Sequence, residues 1–234
     1  MSLISSNLQA VQHEIATVAR STSCRADEIT LLAVSKTFGV EQVLLAADAG
    51  QRAFGENYLQ EALEKIALVR QLRPELMLEW HFIGPIQSNK TRPIAESFDW
   101  VHSVERLKIA QRLSEQRPAS MPALNVCLQV NISGEASKSG VAAAEVVELA
   151  RAVALLPRLK LRGLMAIPEP STDPVVQRAA FHRVQLLMAQ CHAAGLDMDT
   201  LSMGMSADMD AAIAEGATIV RVGTAIFGAR TYAK

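Results

Sequence analysis

A chain of 234 residues, 50% of them hydrophobic, is long enough to bury one sizeable core and short for two independent catalytic domains, so a single domain over residues 1–234 is expected. Lys and Arg (23) nearly balance Asp and Glu (24), and a net charge of −1 excludes the long-range field that gathers nucleic acid or anionic lipid; any bound anion must be held locally. Three scattered cysteines without CxxC spacing exclude a disulfide framework and a cysteine zinc site, and neither a leader peptide nor a run of about 18 apolar residues is present, so a soluble cytoplasmic protein without metal is expected.

Leu8, Val11, Ile15 and Val18 recur at helical spacing and predict an amphipathic helix within residues 1–22, broken by Ser21-Thr22-Ser23. The period then changes. Leu31-Leu32-Ala33-Val34 reads as a strand, and the stripe Val40, Val43, Leu44 and Ala47 as a helix that stops at Gly50. A strand near 52–54 leads into a helix carrying Leu59, Leu63, Ile66, Val69 and Leu72; residues 80–83 make a third strand, Trp100 and Val101 a weaker fourth, and 124–130 a plain fifth. A helix on Val146, Leu149, Val153 and Leu156 precedes a sixth strand at 161–167, and a long helix on Val176, Ala180, Val184, Leu187 and Cys191 follows it. Residues 200–203 and 218–222 supply the last two strands, with a helix over 207–215 between them. Eight strand-like runs separated by helices match a closed parallel (β/α)₈ barrel; periodicity counts elements without showing closure, so an open doubly wound sheet stays as the alternative.

Parallel β/α folds bind ligands at the carboxyl ends of their strands, which singles out the polar residues that directly follow apolar runs. These are Lys36 after the first strand, Glu56 and Asn57 after the second, His81 with Gln87-Ser88-Asn89 at the third, Asn131 and Ser133 after the fifth, Ser206 after the seventh, and Arg221 to Thr224 at the eighth. An amine on Lys36, partly desolvated and near cations such as Arg221, is a nucleophile toward an aldehyde; the competing reading is a loop lysine lying over apolar neighbours. Ser202-Met203-Gly204-Met205-Ser206 and Arg221-Val222-Gly223-Thr224 offer the hydroxyls, backbone N–H groups and small residues that a phosphate needs. Alternatively the glycines only permit turns and Ser206 caps the next helix. Arg221, between two valines, requires a buried acceptor, either a protein carboxylate or the nitrogen of a bound ring. His13, His102, His182 and His192 lack metal-ligand spacing and read as surface or core-edge residues. Met203, Met205 and Met209 read as core filler, and Arg151, Arg158, Lys160 and Arg162 as a solvated helix end and loop.

The blocks Ala33-Val34-Ser35-Lys36-Thr37, Phe54-Gly55-Glu56-Asn57-Tyr58, Trp80-His81-Phe82-Ile83-Gly84, Gln87-Ser88-Asn89-Lys90, Val130-Asn131-Ile132-Ser133-Gly134-Glu135, Ser137-Lys138-Ser139-Gly140, Gly163-Leu164-Met165, Leu201 to Met209 and Arg221-Val222-Gly223-Thr224 occur in that order. Together they resemble the motifs of the YggS/PROSC family of pyridoxal phosphate homeostasis proteins. The resemblance implies a barrel of the alanine-racemase N-terminal-domain type (fold type III) with the 1–22 helix packed on it. It also implies pyridoxal 5′-phosphate (PLP) joined as an imine to Lys36. By the same carry-over, Ser206, Gly223 and Thr224 bind the phosphate, Arg221 faces the pyridine nitrogen, and Asn57 and His81 line the site. Departures such as Pro85 and Ile86 before Gln87 are conservative or lie outside the cofactor shell.

The implied role is intracellular PLP (vitamin B6) homeostasis: a monomeric, non-enzymatic carrier that buffers the cofactor or delivers it to apo PLP-dependent enzymes. An arginine opposite the ring nitrogen keeps it unprotonated and makes the ring a weak electron sink. Racemases of this barrel type add a second domain carrying a catalytic tyrosine, whereas here the chain ends at Lys234 and neither Tyr58 nor Tyr232 has an evident reason to face the cofactor. A PLP-dependent racemase is the alternative, and a cofactor-free Schiff-base aldolase acting on sugar phosphates a third reading.

Overall fold

The computed structural model describes residues 2–22, 24–133 and 139–229. Ser23, Tyr232 and the motif positions Gly134, Glu135, Ser137 and Lys138 lie outside the described residues. Among the described residues, nine strands form one parallel sheet: β1 (Thr30–Val34), β2 (Ala53–Glu56), β3 (Glu79–Phe82), β4 (Trp100–Val104), β5 (Leu124–Asn131), β6 (Val141–Ala142), β7 (Leu159–Ala166), β8 (Thr200–Met205) and β9 (Ile219–Val222). The order around the sheet is β4-β3-β2-β1-β9-β8-β7-β5, and β4 pairs with β5 to close it, so the open-sheet alternative falls. The short β6 is an appendage, joined to β5 at Val130 and Val141.

Helices α1 (Leu3–Ser21), α2 (Val40–Asp48), α3 (Leu59–Leu72), α4 (Thr91–Ser97), α5 (Leu107–Gln116), α6 (Val146–Ala154), α7 (Pro174–Ala193), α8 (Met209–Ala214) and α9 (Thr224–Phe227) accompany the strands. The stripe Leu8, Val11 and Ile15 of α1 is buried, worth about 1.5–3 kcal/mol per side chain, and Asn7 Nδ2 donates to Ile226 O at 3.0 Å, tying α1 to α9. A charged residue at Leu8 would detach that face. Most buried side chains lie between strands and helices, while Leu32, Ala53, Trp100, Cys127, Met165 and Ile219 make a separate cluster.

The helix expected over 207–215 begins only at Met209, with Asp208 at its N-cap. Asp208 Oδ1 accepts from the Met205 N–H at 2.6 Å and so closes the turn after β8. Ser206 is therefore not the cap, which leaves the capping reading overturned. Gly204 has φ +91, and a Cβ there would stand 2.5 Å from Ala212 Cβ, so only glycine lets this turn pass beside α8.

Candidate functional site

A cavity of about 280 Å³ opens at the carboxyl ends of the strands. Lys36, Asn57, Ser206, Arg221, Gly223 and Thr224 line it, as the sequence predicts, with Val34, Phe38, Ile83, Met165, Ile167 and Met205 as its apolar walls. Met205, expected in the core, is 38% exposed and serves as wall.

Lys36 leaves β1 half-buried, and both its neighbours are clamped. Ser35 Oγ donates to Glu56 Oε1 at 2.6 Å, and Lys65 Nζ donates to Ser35 O at 2.8 Å, to Glu56 Oε1 at 2.5 Å and to Glu61 Oε1 at 3.0 Å. On the other side the Thr37 N–H donates to Glu61 Oε1 at 2.7 Å. Thr37 has φ +69, a left-handed conformation that costs a β-branched residue roughly 1–3 kcal/mol and persists only where surrounding bonds enforce it. The Glu56 and Lys65 side chains are 0% and 3% exposed, and burial pushes the Glu56 carboxyl up against the opposing effect of Lys65. Glu56, one of the strand-end candidates, thus holds the backbone beside Lys36 and is not itself a cavity residue.

Arg221 enters from β9 and is 4% exposed. Its Nη1 donates to Ser202 O at 2.5 Å and to Ser202 Oγ at 2.8 Å, and Nη2 donates to Ala166 O at 2.9 Å. All these acceptors are uncharged, so the carboxylate partner weighed as one alternative from sequence is absent among the described residues. A guanidinium has five N–H donors, and here the Nε–H and the second Nη2 hydrogen find no protein acceptor among the described residues. Burial pushes the group down to about 10, which leaves it cationic at neutral pH. Asn57 Oδ1, also at the cavity, is buried without a hydrogen-bond partner. Its backbone is packed so closely on Gly84 that any Cβ there would overlap Asn57 O.

The remaining lining comes from two turns. Exposed Ser206 follows the Gly204 turn, and Gly223 with Thr224 opens α9, whose own hydrogen bonds begin when the Ile226 and Phe227 N–H groups donate to Gly223 O at 2.9 Å. Helix starts of this kind leave their first N–H groups without intrahelical acceptors, the usual phosphate position of β/α barrels.

His81 is not brought into this group. Its ring is buried, with Nε2 2.7 Å from Glu79 Oε1 and Nδ1 2.9 Å from His102 Nε2, and it does not line the cavity. His102, read as a surface or core-edge residue, is fully buried, and its Nδ1 is 2.7 Å from Ser202 Oγ. Arg162, read as solvated, bonds Asp199 at 2.8 Å and lies 4.6 Å over the Trp100 ring. Asn131 and Ser133 do not line the cavity, and Ser88 O instead accepts from Arg112 Nε at 2.8 Å. Sequence reasoning missed the roles of Ser35, Glu61 and Lys65, set His102 aside, and read Ser202 only as part of the phosphate segment. The one available signal for Lys65 was a cation within the apolar stripe Ala62, Ile66, Val69.

Residues 6–231 match the family described as alanine racemase, N-terminal domain. A pyridoxal phosphate homeostasis protein of Pseudomonas aeruginosa is 60% identical over 232 residues, covering 99% of this chain and 98% of that one. The PLP-bound structure of PipY from Synechococcus elongatus PCC7942 superposes with a TM-score of 0.83 at 34% identity, covering 96% of this chain and 100% of PipY. An alanine racemase of Clostridium difficile 630 is similar in fold alone, with a TM-score of 0.76 at 15% identity over 95% of this chain and 56% of the racemase.

Proposed function

Because this chain belongs to the family of pyridoxal phosphate homeostasis proteins, built on the alanine racemase N-terminal domain, we propose that it binds PLP as an imine on Lys36 and holds it for intracellular homeostasis rather than for turnover. The observation that carries this reading is the pair of Arg221 N–H donors without a protein acceptor among the described residues, on a residue that lines the same cavity as Lys36 and the Ser206 and Gly223 turns. A cationic donor facing a cavity gains a charge-assisted hydrogen bond when a ligand supplies an acceptor, and a pyridine nitrogen does so. The orphaned Asn57 Oδ1 likewise suits a ligand O–H. PLP supplies an aldehyde that condenses with an amine and a ring that can draw electrons from the adduct.

Each residue then has one task. Lys36 Nζ attacks the aldehyde carbon and water leaves; Ser206, Gly223 and Thr224 hold the phosphate; Arg221 donates to the ring nitrogen and keeps it unprotonated. That last contact weakens carbanion chemistry and supports a carrier over an enzyme. Tyr58, 54% exposed and at the start of α3, is not a cavity residue and offers no second acid or base there. Within this reading residues 1–234 act as one domain with α1 as part of it, a cytoplasmic monomer that delivers PLP to apo enzymes.

Titrating the ligand-free chain with PLP should raise a visible absorption band that Lys36→Ala abolishes. An unchanged band in that variant would refute attachment at this residue. Incubating the loaded chain with single amino acids in deuterated water separates carrier from racemase: α-proton exchange at turnover rates would favour the racemase.

A further inference from the structure

The barrel interior holds a column of polar side chains that the cofactor reading does not use. Glu79 Oε1 and His81 Nε2 are 2.7 Å apart, His81 Nδ1 and His102 Nε2 2.9 Å, His102 Nδ1 and Ser202 Oγ 2.7 Å, and Ser202 Oγ accepts from Arg221 Nη1 at 2.8 Å. The column runs from the amino-terminal residue of β3 to the cavity at the opposite ends of the strands. His81 is 1% exposed and Glu79 46%, so only the far end meets solvent.

Proton counting gives the column a direction. Arg221 can only donate, and an ionised Glu79 can only accept. Ser202 Oγ accepts from Arg221 and keeps one hydrogen to give to His102 Nδ1; His102 then carries its proton on Nε2 and donates to His81 Nδ1; His81 carries its own on Nε2 and donates to Glu79. With one proton per ring the reverse order fails, because a bare His81 Nε2 would face a carboxylate. Geometry and burial agree with this assignment: the His81 hydrogen bond holds the Glu79 carboxyl below its ordinary value, and burial drives the His102 ring well below its own, as a ring with one proton requires.

We propose that Glu79, His81, His102 and Ser202 form a directional hydrogen-bond relay that positions Arg221 and couples the ionisation of a carboxylate at the far end of the barrel to the hold on the cofactor ring. His81, His102 and Ser202 are positioning residues, and the coupling to the ring rests on the PLP reading above. Chains of hydrogen bonds polarise one another, so a stronger acceptor at Glu79 makes Ser202 Oγ a better acceptor for Arg221. The other titratable groups near the column among the described residues include Arg162 and Asp99 near Glu79, Cys127 with its thiol pushed up to about 12, and Asp208 near Arg221. Arg162 is itself paired with Asp199, and Asp99 stands near Arg117.

The test has two readouts on the full chain. In the ligand-free protein, nitrogen NMR of labelled histidines at neutral pH should show His81 and His102 neutral and protonated on Nε2. A charged ring, or a proton on Nδ1 of either, overturns the relay whether or not PLP binds. In the loaded protein, Glu79→Gln should move the pH midpoint of the visible band, and Ser202→Ala should move it further and weaken PLP retention about tenfold, the size of one charge-assisted hydrogen bond. Glu75→Gln, a surface carboxylate paired with Arg73, should leave both unchanged. A band that titrates identically in wild type, Glu79→Gln and Ser202→Ala overturns the coupling. No band in the wild type would instead defeat the PLP reading and leave the ligand-free measurement to decide the relay's direction.

Discussion

Lys36 and Arg221 share one cavity, and the chain holds them by opposite means. The backbone on both sides of Lys36 is fixed by a buried ionic cluster, Lys65 with Glu56 and Glu61, whereas Arg221 is fixed by two carbonyls and the Ser202 hydroxyl. The contrast follows from what each position tolerates. The nucleophile needs its neighbours pinned, and a charged clamp set behind the strand end can do that without adding a group to the cavity. Arg221 already brings a charge into the barrel interior, and uncharged acceptors hold it without neutralising the cation that faces the ligand.

The clamp should break hardest. Lys65→Met leaves the Glu56 carboxylate buried without its cation and should destabilise the fold by about 3–5 kcal/mol in urea unfolding, with Glu56→Gln in the same chain recovering most of the loss. A single variant as stable as wild type would mean that the cluster is ornamental. Next, Arg221→Ala removes the donors that the proposed reading assigns to the ring nitrogen and should weaken PLP retention by roughly tenfold or more, read by equilibrium dialysis.

The two regions also differ in the sign of their pH response. Glu56 has a folded value above its ordinary one, so the folded chain keeps that proton longer and stability falls as pH rises above about 4.5. His102 has a folded value well below 6.5, so the unfolded chain takes up the proton first and stability falls as pH drops below 6.5. The latter slope should approach ~1.4 kcal/mol per pH unit and vanish in His102→Gln, as read from urea midpoints across pH. A slope that persists in that variant would assign it to other groups. The smallest effect belongs to the phosphate turn: Ser206→Ala, in a serine that caps nothing, should weaken PLP binding only about fivefold without changing stability.

Much of this was legible because strand ends declare themselves. Lys36, Asn57, Ser206, Arg221, Gly223 and Thr224 each follow or interrupt an apolar run, and the barrel brings those ends to one cavity. The relay was hidden because it depends on register: His81 pairs across from Trp100, and only strand closure brings His102 to Ser202, a hundred positions away. Period-two alternation of Glu79 with His81 and of Trp100 with His102 carried the signal, since i and i+2 share a face. Helix α4 escaped because it is short and its apolar stripe is little more than Ile94 and Ala95; α5 has ten residues and a stripe of Ile109, Ala110 and Leu113 that could have been read.

Borohydride reduction of the PLP-loaded chain, followed by tryptic mapping, tests the central assignment most directly. The account predicts a single reduced adduct on Lys36, found in an uncleaved peptide spanning residues 26–52. An adduct on any other lysine, with the 26–36 peptide released unmodified, would contradict it.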